Sequence, residues 1–357
     1  TERTDASLAG EGAFWRLGSA LASGDFNGDG YADVAASEPG YDGGKGRVVI
    51  LPGRRDFPAA DRLDKLDRQT IEGHSATGSL GGVLAVADFN NDGFDDVVIA
   101  QSSSPGRLFV FHGGEEGIGR GSTQLSTRDA DATLIGSSPR FGSSLVPSDF
   151  DRDGNIDLIV GEPGLASGGR VSIFLSSSAG IVDTPRHFLA YHDQQNSLFG
   201  ERLAVGDFDG DRHTDIAASL VRGDPEAADG RVVVVSGKTL GESEEFDVAQ
   251  AMRRRRAVVL TGKAKMGFAA SLSAADLDLN GASDLIVGAP QHSEGHGRVY
   301  LFAGSTEFFT AKTTTKDRVQ AHFSGMSSGE NFGATLSAAV DFNQDGQPDL
   351  VIGSPRA

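Results

Sequence analysis

The chain has 357 residues, with 32 Lys and Arg against 50 Asp and Glu, for a formal charge of −18. That balance excludes a protein that binds nucleic acid or an anionic membrane through general electrostatics, and the lack of cysteine excludes disulfides, thiolate metal sites and cysteine nucleophiles. No apolar run approaches the ~18 residues needed to cross a bilayer, and 49 glycines point to many turns and few helices.

The sequence opens at Thr1 with no initiator Met and no signal-peptide pattern, so it is expected to be a processed form or a cut-out piece. One segment then recurs six times: GDFNGDGYADVAAS from Gly24, ADFNNDGFDDVVIA from Ala87, SDFDRDGNIDLIVG from Ser148, GDFDGDRHTDIAAS from Gly206, ADLDLNGASDLIVG from Ala275 and VDFNQDGQPDLVIG from Val340. The spacing, 58 to 69 residues, is too long for a solenoid coil and suits one four-stranded propeller blade per repeat. A short apolar segment precedes each acidic loop and a β-branched run follows it, as at Ile156–Val160. After a Gly-rich connection comes a third run: GRVVIL from Gly46, GRLFVF from Gly106, GRVSIF from Gly169, GRVVVV from Gly230 and GRVYLF from Gly297. A weaker fourth run closes the unit, as in TIEG from Thr70, TLIG from Thr133 and VVLTG from Val258. These short runs bounded by Gly, Pro, Asn or Asp read as strands; Asp61–Arg68 is the one stretch expected to make a turn of helix. The expected class is an all-β propeller in one domain, with repeats over about 13–74, 79–136, 140–190, 198–262, 266–325 and 331–357, the last incomplete.

Within each acidic loop, oxygen side chains stand at positions 1, 3, 5 and 9. They are Asp25, Asn27, Asp29 and Asp33; Asp88, Asn90, Asp92 and Asp96; Asp149, Asp151, Asp153 and Asp157. The later sets are Asp207, Asp209, Asp211 and Asp215; Asp276, Asp278, Asn280 and Asp284; Asp341, Asn343, Asp345 and Asp349. Ca²⁺ takes ~6–8 oxygens at ~2.3–2.6 Å, and alternate residues of a tight loop can aim inward together. Position 7 would add a main-chain carbonyl, from Tyr31, Phe94, Asn155, His213, Ala282 and Gln347. Position 6 is Gly in five loops, which permits the sharp turn; loop four has Arg212 instead and is expected to be the weakest site. Uncompensated, three or four carboxylates this close repel one another. Six Ca²⁺ ions would move the formal charge from −18 to −6, so metal sites account for much of the acidity. An EF-hand shares the first half of the loop but needs Glu at position 12 and flanking helices; position 12 is Ala36, Ile99, Val160, Ala218, Val287 or Ile352, and the flanks are strands. The metal is therefore expected to pin a hairpin rather than drive a sensor switch.

These residues give the chain a resemblance to the FG-GAP repeat family, which includes the N-terminal propeller of integrin α subunits. The FG element is present at Phe141-Gly142, Phe199-Gly200 and Phe332-Gly333, and altered at Leu17-Gly18, Leu80-Gly81 and Met266-Gly267. The GAP element is kept at Gly288-Ala289-Pro290 and drifts at Gly161-Glu162-Pro163, Gly353-Ser354-Pro355 and Ser37-Glu38-Pro39. The resemblance implies a ring of four-stranded blades, calcium loops on one face and ligand contacts on the other. Six hairpins and no cysteine, where integrin propellers have seven blades and disulfides, make it look like a bacterial-type relative. It further implies that residues 1–12, with Ala6–Gly10, supply a ring-closing outer strand. Since no third run follows the sixth hairpin, the ring is either six-bladed with a defective last blade or a truncated seven-bladed one, and truncation is the expectation.

Three other motifs stand out. Arg222-Gly223-Asp224 is an RGD tripeptide, Arg253–Arg256 is a four-Arg run in the Ser236–Val258 connection, and His292, Glu294 and His296 sit in a Gly-flanked loop. Each is expected to be an ordinary solvated loop. No nucleophile elbow, P-loop or isolated carboxylate pair suggests an enzyme. The expected function is a non-catalytic, calcium-stabilised adhesion-type module that binds a protein or glycan outside the cytosol, on the cell surface or in the periplasm. It is expected to be a monomer with no nucleic-acid partner and no membrane insertion. The expected ligand surface is Glu38–Lys45, Gln101–Pro105, Glu162–Gly168, Arg222–Asp229 and Gln291–His296. The alternatives are a lectin, or an accessory or scaffold domain of a larger secreted enzyme or surface protein.

Overall fold

A computed structural model describes residues 7–12, 14–55, 60–76, 78–165, 168–191, 198–221, 230–240, 245–254, 256–263, 265–310 and 318–356. The fold is all-β, built from successive four-stranded antiparallel sheets of the propeller-blade type. The chain divides into two compact units: residues 1–147 with 154–158 and 174–184, and residues 148–153 with 159–173 and 185–357.

In the first unit, repeat one orders its strands Leu21–Gly24, Asp33–Glu38, Arg47–Leu51 and Gln69–Glu72, each antiparallel to the next. Repeat two does the same with Leu80–Ala87, Asp96–Gln101, Arg107–Phe111 and Ala132–Ile135. The β-branched second and third strands are buried on both faces, which explains their near-continuous apolar runs. Phe26, Val48, Ile50, Leu80, Val97, Ile99, Phe109 and Phe111 form one core.

In the second unit, repeat four runs Leu203–Gly206, Asp215–Leu220, Arg231–Val235, Ala257–Thr261, and repeat five runs Ser271–Ala275, Asp284–Ala289, Arg298–Phe302, Val319–Ser324. Thr335–Val340 and Asp349–Gly353 form a two-stranded hairpin. In repeat three, Arg170–Phe174 pairs antiparallel with His187–Ala190.

Two of the long connections add a strand to a neighbouring blade. Gln124–Ser126, from repeat two, lies parallel to Gln69–Glu72. Glu245–Asp247, from the Ser236–Val258 connection, lies parallel to His187–Ala190. Each covers an outer strand edge that would otherwise be bare. The period-2 pattern of a three-residue strand is too short to have signalled either one.

Ser7–Ala9 pairs in parallel with Ala60–Arg62, and Leu8 packs against the cluster of Val49, Leu51 and Leu63. An apolar cluster on repeat one thus receives the N-terminal strand. The helical turn expected at Asp61–Arg68 is a 3-10 turn, Leu63–Lys65.

Consecutive repeats are joined through the FG element. Gly46 bridges Leu80, Gly169 bridges Phe199 and Gly297 bridges Phe332, all in parallel. A Cβ on Gly297 would stand 2.1 Å from the Phe332 carbonyl oxygen, so the Gly of each Gly-Arg run is what lets the next repeat approach.

Candidate metal-binding hairpin loops

Five of the six acidic loops share one hydrogen-bond scheme at position 1. The carboxylate at position 1 accepts the amides of positions 5 and 6: Asp29 and Gly30 donate to Asp25 at 3.1 and 2.9 Å, and Asp211 and Arg212 donate to Asp207 at 3.0 and 2.7 Å. Asp88, Asp276 and Asp341 do the same. The position 3 oxygen accepts the amide of position 5, and the position 5 oxygen accepts that of position 7, as with Asn27, Asp29 and Tyr31. Each side chain is thereby turned into the loop's interior by its own backbone.

The turn needs two left-handed residues rather than the one expected. Position 6 has φ of 83° at Gly30 and 69° at Arg212, and position 4 is left-handed as well, at Gly28, Asn91, Arg152, Gly210, Leu279 and Gln344. Loops two to six therefore each carry one non-glycine residue in that region, and loop four only exchanges which position bears it. The strain of about 1 kcal/mol does not single out Arg212. What sets loop four apart is Asp211: His213 Nδ1 lies 3.0 Å from its Oδ1 and Lys238 Nζ 3.6 Å from its Oδ2. Burial works to raise the Asp211 carboxyl, but the His213 hydrogen bonds and the His213 and Lys238 charges hold it below its ordinary value.

Position 9 has a second role that its spacing did not disclose. Asp33, Asp96, Asp157, Asp215 and Asp284 are buried. One oxygen accepts the amide of position 2, from Phe26, Phe89, Phe208 or Leu277. The other accepts the amide two residues beyond the third strand, from Gly53, Gly113, Ser176, Gly237 or Gly304 at 2.6 to 2.9 Å. The residue ties the loop to strand three. Burial pushes the Asp215 carboxyl up to about 8, with repulsion from Asp209 and Asp207 adding to it against the Gly237 and Phe208 amides. Burial also raises Asp96 to about 6, opposed by the Gly113 amide and the His112 charge. Asp33 and Asp284 are raised for the same reason.

Among the described residues, two carboxylate clusters are able to hold a metal: Asp149, Asp151 and Asp153, and Asp207, Asp209 and Asp215, whose oxygens converge within 4.8 Å in each set. Oxygens bound to one Ca²⁺ at ~2.3–2.6 Å lie at most ~5 Å apart, so both sets fit that ion, and the donors are hard oxygens throughout. Mutual repulsion is visible in the raised carboxyls of Asp151 and Asp209, where burial leads and the Asp153 or Asp211 charge follows. In loops one, two and six an Asn replaces the carboxylate at position 3, and its Nδ2 donates to the position 5 Asp at 2.9 to 3.1 Å. In loop five Asn280 is the neutral member, at position 5.

The loops also link neighbouring repeats. Asp95 donates its amide to the Asp25 carbonyl, and Ser283 does the same to the Asp207 carbonyl. On other segments, Arg47 forms a buried pair with Glu38 at 2.5 Å and lies over the Tyr41 and Trp15 rings. The RGD tripeptide lies outside the described residues. Glu294 and Ser293 occupy left-handed turn positions, and His296 is bound to the Ser293 carbonyl, so no helix presents His292 and His296 on one face.

The family described as FG-GAP repeat matches residues 17–51, 268–302 and 332–357, and the FG-GAP-like repeat matches 88–160. Phosphatidylinositol-glycan-specific phospholipase D of Rattus norvegicus is 27% identical over 378 residues, 95% of this chain and 43% of that protein. Integrin alpha pat-2 of Caenorhabditis briggsae is 29% identical over 249 residues, 66% of this chain and 19% of the integrin. Integrin alpha-V of Gallus gallus is 28% identical over 240 residues, 65% and 21% respectively. The chain thus spans less than half the length of the curated relatives it matches. Among the described residues, no helix is long and apolar enough to cross a membrane.

Proposed function

The chain is a protein of FG-GAP repeats, and on that premise we propose that it is a calcium-stabilised recognition module with no catalytic role of its own. The observation that carries the metal reading is the pair of converging carboxylate sets in loops three and four. The all-oxygen donors at positions 1, 3, 5 and 9 would hold Ca²⁺, with position 7 carbonyls completing the shell; the ion would supply structural cross-linking and no chemistry. Binding to the folded form alone adds its free energy to folding. The loops' acidity is then balanced by metal rather than by a basic macromolecule, and the charge of −6 left with six ions bound still disfavours a nucleic acid, which supports a protein or glycan ligand. Sites of modest affinity fill outside the cytosol, which supports an extracellular or periplasmic location.

A second reading, an accessory module within a larger enzyme, is favoured by the near-complete coverage of this chain by phosphatidylinositol-glycan-specific phospholipase D, of which it spans 43%. Calcium titration by calorimetry, followed by glycan and matrix-protein arrays in Ca²⁺ and in chelator, tests both. Calcium uptake with a calcium-dependent array hit supports the recognition module. Calcium uptake with silent arrays moves the weight to the accessory reading. No uptake at millimolar Ca²⁺ overturns the metal assignment.

A further inference from the structure

Repeats one and three neutralise the arginine that opens their third strand. Arg47 pairs with Glu38 and Arg170 with Glu162, each at 2.5 Å. Repeat five keeps the arginine, Arg298, but the residue facing it across the sheet is Ala289. Its side chain donates from Nε to Ser324 Oγ at 3.1 Å and lies 6.0 Å from the centre of the Tyr300 ring. No carboxylate pairs with it among the described residues.

Other basic side chains gather at the same place. Arg298, Tyr300 and Phe302 alternate along one strand and so share a face. His322 stands directly opposite Tyr300 on the fourth strand. Lys263 follows the last strand of repeat four, and His292 comes from the connection before the third strand. These four basic residues line a cavity of about 420 Å³ together with Phe268, Tyr300 and Phe302. Among the described residues, no Asp or Glu lines it. Burial first, and then the charges of Arg298, Lys263, His322 and His296, hold the His292 imidazole below its ordinary value. In a chain of formal charge −18 this is a local inversion of sign. The apolar wall is aromatic: Phe268 and Tyr300 meet edge to face at 5.6 Å, and Phe268 is buried.

We propose that this cavity in repeat five binds a small ring-bearing oxyanion ester, a sugar phosphate or sugar sulfate. Arg298 and Lys263 would take the tetrahedral anion, the guanidinium through paired N–H donors and the ammonium as a point charge. Tyr300 and Phe268 would pack on the ring, as an amphipathic aromatic wall does in small-molecule sites. The volume lies within the range of pockets that hold such ligands. The inference deepens the proposed recognition role by naming a ligand class. It shares no residue with the calcium loops, so an array hit retained after this site fails would leave that role standing.

The test is calorimetric titration of the full chain, in Ca²⁺ and low salt, with glucose 6-phosphate, glucose 6-sulfate, glucose and inorganic phosphate. The expected result is one-to-one binding of at least one ester, at least tenfold tighter than either glucose or inorganic phosphate, and weakened at least tenfold by Lys263→Ala and by Arg298→Gln. Arg231→Gln, the equivalent arginine of repeat four, should leave binding unchanged. Unaltered melting temperatures of the variants would show that they fold. Absence of ester binding at millimolar concentration, equal binding of inorganic phosphate, or binding that survives both variants would overturn the proposal.

Discussion

Loops four and six have the same local geometry and opposite surroundings. In both, the position 1 aspartate caps two amides, and position 9 accepts the amide of a phenylalanine, Phe208 to Asp215 at 2.9 Å and Phe342 to Asp349 at 2.8 Å. In repeat four a third strand follows, Gly237 donates the second amide to Asp215, and Phe208 is fully buried. The sixth hairpin has two strands, and Phe342 is 64% exposed. The loop's shape is thus a local property of nine residues, whereas its electrostatic setting belongs to the blade. In repeat four, burial drives the Asp215 carboxyl up to about 8.

The largest expected effect is metal removal. Excess chelator should lower the melting temperature by several degrees or more, and amide exchange should rise sooner over 341–349 than over 207–215, because strand three holds the latter in place. Unchanged melting would sink the structural-metal reading, and equal exchange in the two loops would break the comparison. Next comes Asp215→Ala, which strips two buried amides of their acceptor and should cost roughly 2–4 kcal/mol in denaturant unfolding. Asp349→Ala, with one partly exposed partner, should cost under about 1 kcal/mol.

A smaller effect is expected from pH. Folding raises the Asp215 carboxyl, so its contribution to stability is complete below its unfolded value of about 4 and is lost as pH climbs through about 8. Metal-free protein should therefore melt higher at pH 5 than at pH 8 as far as this group acts, and Asp215→Asn should flatten that slope. Bound calcium, which favours the ionised carboxylate, should oppose the slope. The smallest effect is Arg212→Gly, expected to stabilise by no more than about 1 kcal/mol, since it relieves one left-handed residue. A larger gain would mean that loop four is more strained than its neighbours.

Much of this was legible in the sequence because the repeat is local. The six loops, their two flanking strands and the Gly-Arg third strand all rest on contiguous patterns of β-branched residues and Asp/Gly turns. Position 4 escaped notice because four different residue types, Asn91, Arg152, Leu279 and Gln344, occupy a conformation that Gly would have announced. The second partner of the five buried position 9 aspartates escaped because its donor lies about twenty residues away, beyond strand three. The Gly of each Gly-Arg run could be seen but not explained until the next repeat's FG backbone was found against it.

Sequence alone determined the all-β class, the repeat and the oxygen sets, since each depends on side-chain period and turn chemistry within one hairpin. Tertiary structure decided what lies beyond a hairpin's reach. It paired Ser7–Ala9 with Ala60–Arg62, where an apolar cluster of repeat one accepts Leu8. It buried some aspartates and exposed others, and it gathered Lys263, His292, Arg298 and His322 from four separate segments into one cavity. Burial and long-range charge are sums over neighbours, and neighbours distant in sequence are named only by the fold.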